Sequence, residues 1–347
     1  MPQDTLDRIF LDRLNDAQPQ LNTLIDRFSE ARVLVVGDLT LDEFLTGEVE
    51  RISREAPVVI LRHESTRQIP GGGANAVYNL AKLGAQVTVA GIIGADIQGE
   101  ALRSIFQAAG IDTAGIVVDR DRPTVTKTRI SGHARQSVTQ QMVRVDRKSD
   151  APPPDAVSQK LAEFIADRAA SAQAVVCSDY GDGVFSAAII AAALTHTRTI
   201  IDAQAGLDRY QGATIFTPNL PEAELASGIA IVDAASLQQA GEALLALTGA
   251  QHVLITRGDD GMTLFDRGGD VHHIPAFNRT DVFDVTGAGD TVAATLTLAM
   301  CSGATLWEAI VLGNLAASLV VRHFGTATTS QAELKTALAT LLESLNS

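Results

Sequence analysis

Residues 33–64 read VLVVGDLTLDEFLTGEVERISREAPVVILRHE, and the change of character inside this stretch decides the fold class. The opening, VLVVGD, is a short and nearly continuous apolar run, the kind buried on both faces of a parallel sheet. From 44 to 64 the chain turns rich in β-branched residues with no helical period, which reads as strands of a separate, smaller sheet. A second stretch of this type spans 123–146. Elsewhere, runs of the first kind (VTVAGIIG, AVVCSD, TIIDA, HVLITRG) alternate with helix-like segments at 73–84, 97–109, 154–169 and 235–248. That alternation implies an α/β domain, a parallel sheet with helices on both faces, carrying a small β-sheet built from two insertions. Residues 261–276 read as a hairpin-like strand pair. DAPPPD at 150–155 is a short breaker that leads into a helix.

The N-terminal 1–30 places Leu21, Leu24, Ile25 and Phe28 at three- and four-residue intervals, so a helical extension is expected there, packed on the domain (31–347) or on a second subunit. With 347 residues, 46% of them apolar, the chain can bury a large core. A net charge of -14 argues against nucleic acid or an anionic membrane as chief partner, because long-range repulsion opposes both. Cys177 and Cys301 are far apart, each in an apolar run, and form neither a disulfide framework nor a metal motif. Without a membrane-length apolar run or an export signal, a reducing cytoplasm is the expected location.

The chemistry concentrates near the C-terminal end, in DVTGAGDTVAATLTLAM at 284–300. Gly287 and Gly289 allow a tight turn whose N–H groups converge, and the helix that follows adds unpaired amides and a positive dipole end. Such a corner suits a phosphoryl group in transfer, and Asp290 at its rim is placed to take a proton from an attacking hydroxyl. The bland reading makes Asp290 a helix cap and the glycines a plain turn. A second glycine cluster, PGGGAN from Pro70, opens another helix beside Asn75. GDLTLD sets Asp38 at the end of the first strand and Asp42 beyond it, where open α/β sheets bind ligands, with turn capping as the competing account.

In this order, these pieces resemble the ribokinase-like (PfkB) carbohydrate kinases over about residues 31–330: an early Gly-Asp, a Gly-Gly helix entry, Asn-x-x-Glu in TPNLPEAE, and DVTGAGD. The resemblance implies a three-layer α/β/α sandwich with a β-sheet lid, ATP with Mg²⁺, and phosphorylation of a sugar hydroxyl. By position it makes Asp290 the catalytic base and Gly287, Ala288 and Gly289 the anion hole. Asn219 and Glu222 would hold phosphates and hydrated Mg²⁺. Arg257, Gly258, Gly261 and Asn314 would line the nucleotide pocket, while Asp38, Asp42, Gly72, Gly73 and Asn75 would bind the sugar. Without the resemblance, Asn219 and Glu222 read as helix-entry residues after Pro218.

GDLTLD, RISREAPV, PGGGAN, RPTVTKTRI, TQQMVRVD, SDYGDG and DRYQGATIFTPNLPEAE are most similar to the bacterial kinases of D-glycero-β-D-manno-heptose 7-phosphate, including the kinase half of the bifunctional kinase/adenylyltransferase. No His-x-Gly-His nucleotidyl motif is present, so no adenylyltransferase is expected. Within 120–148 eight Lys or Arg face two acids, against 27 and 41 in the whole chain, and a basic lid on an acidic body suits an already phosphorylated sugar. Lys127 and Arg144 are the candidates, with a solvated basic face as the alternative. One departure is Asp202-Ala203-Gln204, where heptose kinases usually read Asp-Pro-Lys. The expectation is therefore a cytoplasmic heptose-phosphate kinase giving a 1,7-bisphosphate for lipopolysaccharide-core synthesis, paired as a homodimer through lid residues such as Val58 and Ile60. Alternatives are a kinase for fructose, ribose or a nucleoside, and a non-catalytic sugar or nucleotide sensor. Adjacent His272 and His273 point to opposite faces of a strand and are read as structural.

Overall fold

The computed structural model describes residues 8–134, 138–278 and 282–346. Arg135, one of the eight basic residues counted above, lies outside them. Two sheets are present among the described residues, nine-stranded and four-stranded.

The chain enters through α1 (Arg8–Asp26) and then forms β1 (Arg32–Gly37) at the heart of the large sheet. β1 runs directly into β2 (Leu39–Ile52), which leaves that sheet and pairs antiparallel with β3 (Val59–Gly72). The chain then returns through α2 (Gly73–Lys82), β4 (Gln86–Gly94), α3 (Ile97–Ala108) and β5 (Asp112–Asp119). A second excursion adds β6 (Val125–His133), parallel to β2, and β7 (Gln140–Arg147), antiparallel to β6. Both expected insertions thus meet in one lid, ordered β3-β2-β6-β7.

The second half is α4 (Asp155–Ala169), β8 (Ala174–Asp179), α5 (Ala187–Ala193), β9 (Thr199–Ala203), β10 (Ile215–Phe216), α6 (Leu220–Ser227), α7 (Ala234–Thr248) and β11 (His252–Thr256). It closes with the hairpin β12 (Met262–Asp266) and β13 (Val271–Ile274), then α8 (Ala288–Cys301), α9 (Leu306–Val320) and α10 (Gln331–Asn346). The order across the large sheet is β13-β12-β11-β10-β9-β8-β1-β4-β5. From β5 to β11 neighbours are parallel, and the hairpin edge is antiparallel.

Continuous apolar strands are explained by two cores, one on each face. In β1, Val33 and Val35 join the core beneath α2, α8, α9 and α10, while Leu34 and Val36 join the core beneath α4, α5 and α7. α8 is buried on every side, hence its run of Ala, Leu, Val and Thr with no charge after Asp290. α1 buries Leu14, Leu21, Leu24 and Ile25 in the first core together with Leu334, Leu338 and Leu342 of α10, and Arg13 stacks on Trp307 at 4.0 Å. Of the expected lid apolar residues, Val58 is 56% exposed and Ile60 is half-buried.

Successive strands after β1 build one side of the sheet through β4 and β5, and those from β8 onward build the other. β1 and β8 therefore flank the point where the winding reverses, the place where open α/β sheets form a crevice at their carboxyl ends.

Candidate active site

At that crevice the ends of β1 and β8 are tied together by one carboxylate. Asp38, fully buried, accepts from the backbone N–H groups of Tyr180 (2.8 Å), Asp182 (3.1 Å) and Val184 (3.1 Å). Burial, reinforced by Asp179, pushes its pKa up to about 7. Both oxygens are used by this loop, so the structure puts Asp38 to work shaping the crevice. Gly72 and Gly73 belong to the same junction: Gly72 has φ of +52°, and a Cβ on Gly73 would come within 2.9 Å of the Asp38 backbone.

α8 begins at Ala288, earlier than the apolar run suggested, with Gly287 as its N-cap at φ +79°. Asp290 therefore lies in the first turn and does not cap the helix, which removes the bland reading of that residue. Its carboxylate, on a residue 2% exposed, is bonded by side chains from α2 and from the loop after β8. Asn75 Nδ2 donates to Asp290 Oδ2 at 2.7 Å, and the Tyr180 hydroxyl is shared between Oδ1 and Oδ2 at 3.1 and 3.2 Å. Burial pushes the Asp290 pKa up to about 7; the bonds from Asn75 and Tyr180 pull it down, and Asp42 and Glu222 push it up. A carboxylate so poised is a better base than an exposed one and is about half ionised at neutral pH.

The Asn75 amide is held in turn. Asn79 Nδ2 donates to Asn75 Oδ1 at 3.1 Å, and the Thr291 hydroxyl donates to Asn79 Oδ1 at 3.0 Å. This buried chain stitches α2 to α8 and fixes which side of Asn75 faces Asp290. A Cβ on Gly287 would lie 2.7 Å from Asn75 Nδ2, so glycine is required there for packing as well as for its φ.

Of the expected anion-hole residues, Ala288 spends its N–H on the Val285 carbonyl at 3.1 Å. The amides of Gly289 and Asp290, within the first turn of α8, have no intrahelical acceptor, and the space over Gly289 is open.

Two clefts meet here. One, about 170 Å³, is polar and is lined by Asp179, Tyr180, Asp202, Glu222, Gly289 and Asp290, with Gln204 also at its wall. Burial pushes the pKa of Asp202 well above the carboxylate range, with Asp290 and Glu222 adding to the shift, and burial also raises Glu222. The other, about 410 Å³, is more apolar and is lined by Arg257, Gly258, Gly261, Val292, Asn314 and Ala317 among others. Asn219, Thr256, Val285 and Gly289 border both.

Asn219 and Glu222 form a reciprocal capping box at the start of α6: Asn219 Oδ1 accepts from the Glu222 N–H at 3.0 Å, and Glu222 Oε2 accepts from the Asn219 N–H at 2.9 Å. The helix-entry reading is therefore realised, and the same residues line the polar cleft. Asn314 Nδ2 donates to the Pro275 carbonyl at 2.8 Å, bracing the wall of the larger cleft. Gly261 has φ of +81° and would meet the Ile274 carbonyl oxygen at 2.1 Å if it carried a Cβ.

The lid turns a basic row toward this crevice. Cross-strand register aligns Arg67, Phe44, Arg129 and Arg144 over all four strands. Arg67 and Arg129 stack on the Phe44 ring at 5.1 and 5.2 Å. Phe44 contacts Phe324 of the body at 6.1 Å, and Phe324 contacts Phe283 at 6.3 Å. Arg129 is paired with Asp42 at 2.7 Å, Arg144 with Asp146 at 2.8 Å, and Lys127 Nζ lies 5.8 Å from the Tyr180 ring. Arg67 has no ion-pair partner among the described residues.

The sequence reading assigned no role to Tyr180, Asn79, Arg67 or Asp202. Tyr180 stands in the quoted SDYGDG and Asn79 four residues after Asn75, the spacing of one helix face, but only the tertiary contact shows what each touches.

Comparison with known proteins agrees with this geometry. Residues 30–333 match the family model described as pfkB family carbohydrate kinase. Similar curated proteins include the "Bifunctional protein HldE" of Desulfatibacillum aliphaticivorans, 43% identical over 90% of this chain and 64% of that protein. That of Geobacter metallireducens is 42% identical over 88% of this chain and 63% of that protein. The chain thus spans somewhat under two thirds of the length of such relatives. Among solved structures, Escherichia coli phosphofructokinase-2 superposes with a TM-score of 0.72 at 19% identity, covering 90% of this chain and 99% of that one. Arabidopsis thaliana ribokinase gives 0.66, also at 19% identity, with 90% and 99% covered. With the match extending over nearly its whole length, this chain belongs to the pfkB family of carbohydrate kinases.

Proposed function

We propose that this sugar kinase transfers the γ-phosphoryl group of ATP to the anomeric hydroxyl of D-glycero-β-D-manno-heptose 7-phosphate, with Asp290 as general base. One observation carries the reading: Asp290, buried and free of any capping duty, stands where an apolar cleft large enough for a nucleotide meets a polar one, beside the open amide corner at Gly289. In the transfer, Asp290 takes the proton of the acceptor hydroxyl as its oxygen bonds to the γ-phosphorus and the bond from that phosphorus to ADP breaks. The Gly289 and Asp290 amides receive the charge on the moving group.

Glu222 and Asp202 both line the polar cleft that borders the nucleotide-sized one, so they are the carboxylates that would hold a hydrated divalent cation there. Bound with the nucleotide, Mg²⁺ would supply charge neutralisation of the phosphates.

A phosphorylated acceptor is favoured by the arginine row on the inner face of the lid. Without those cations, the carboxylates of the crevice would repel a second phosphate. The motifs shared with heptose 7-phosphate kinases, and relatives named HldE, point the same way. Gln204 occupies the place of their usual lysine, and Arg67, which has no ion-pair partner among the described residues, offers the missing positive charge from the lid.

The test is turnover of Asp290→Asn together with an ADP-release panel of phosphorylated and neutral sugars. The variant should keep its fold and lose roughly 10²–10⁴ in kcat. Undiminished turnover would remove the base assignment, and equal rates on neutral sugars would remove the phosphorylated acceptor.

A further inference from the structure

The phenol of Tyr180 has no part in the transfer described above, yet it touches the group that performs it. The chain leaves β8 at Asp179, and the three backbone bonds to Asp38 fix the loop so that the Tyr180 side chain points at Asp290. Of the two carboxylate oxygens, Oδ2 already receives the short bond from Asn75 at 2.7 Å, itself backed by Asn79 and Thr291. Oδ1 receives only the phenol among the described residues, at 3.1 Å. An acceptor hydroxyl must donate to one of these oxygens before it can lose its proton, and Oδ1 is the one the amide chain leaves over. The phenol bond is long for an O–H···O contact and is split between two acceptors, so it exchanges more readily than the Asn75 bond. Lys127, from the lid, lies over the same ring, which couples the ring to the lid.

We propose that Tyr180 is a positioning residue that plugs the base in the absence of acceptor: its hydroxyl holds the place of the acceptor hydroxyl on Asp290, keeps water from that place, and is displaced when the acceptor binds. The proposal rests on Asp290 being the base. The reaction it suppresses is hydrolysis. A water oxygen in the same place would bond to the γ-phosphorus, the bond from phosphorus to the bridging oxygen would break to release ADP, and the water proton would pass to Asp290, leaving ADP and inorganic phosphate. The phenol does not itself attack, because burial and the neighbouring Asp290 hold its pKa well above the ordinary tyrosine value.

The experiment uses the full chain with MgATP and follows ADP and inorganic phosphate with no acceptor, then ADP with D-glycero-β-D-manno-heptose 7-phosphate. Tyr180→Phe removes one oxygen and keeps the ring. The expected result is acceptor-independent hydrolysis raised roughly tenfold, on the scale of one lost hydrogen bond, together with a lower KM for the acceptor. Adding Asp290→Asn should abolish the extra hydrolysis. Unchanged hydrolysis in Tyr180→Phe would overturn the plug, as would a raised acceptor KM, which would mark the phenol as a ligand of the sugar. Kinase turnover surviving in Asp290→Asn alone would instead overturn the base assignment, so the two failures are separable.

Discussion

Asp290 shows how much one residue owes to its surroundings. Its identity makes it an acid; burial at the head of α8 raises its pKa to about 7, the range that a base working at neutral pH needs. Because only the ionised carboxylate accepts a proton, kcat/KM is expected to fall as pH drops through about 7, approaching a tenfold loss per pH unit below it. Four polar partners set that midpoint: Asn75 and Tyr180 lower it, and Asp42 and Glu222 raise it. Tyr180→Phe should therefore move the acid limb to higher pH. A limb near the ordinary carboxylate value of about 4 would show that another group governs the profile. The identity of Asp290 as the candidate was legible in TGAGD, but its freedom from capping was not, since that depends on the helix starting at Ala288.

At the scale of elements, α6 separates a structural from a chemical duty within one pair. The capping box of Asn219 and Glu222 stabilises the helix start, and the Glu222 carboxylate also faces the polar cleft. Asn219→Ala should lower stability by about 1 kcal/mol, seen as a reduced Tm. Glu222→Gln keeps a side chain able to close the box while removing the charge, so Tm should hold while the Mg²⁺ concentration for half-maximal rate rises several-fold. Equal Mg²⁺ dependence would confine Glu222 to capping. Strands and helices of the body were readable because continuous apolar runs and 3.6-residue periods leave different marks. The lid was readable as two β-rich insertions. Its cross-strand row was not, because Arg67 and Arg129 become neighbours only once β3, β2 and β6 are paired in register.

For the whole molecule, the lid has two unlike faces. The face toward the crevice carries the arginines, whereas Val143 and Val145, which alternate with Arg144 along β7, are 47% and 48% exposed. Ile52 and Val58 add exposed apolar area in the same sheet and the loop beside it. Covering this area with a second lid is the expected arrangement, so sedimentation should give a dimer, and Val143→Asp with Val145→Asp should give a monomer. A wild-type monomer at working concentration would contradict this. Among the described residues no helix is long and apolar enough to cross a membrane.

By itself the sequence determined the α/β layers, the lid, the family and the candidate for the base, because each is written in local pattern: apolar runs, glycines where the backbone must turn, and a carboxylate at fixed spacing behind them. Tertiary structure alone decided that Asp38 braces a loop, that Thr291 holds Asn79, and that Tyr180 rests on Asp290. Hydrogen bonds between residues more than a hundred positions apart depend on where the sheet reverses its winding, and no local pattern records that distance.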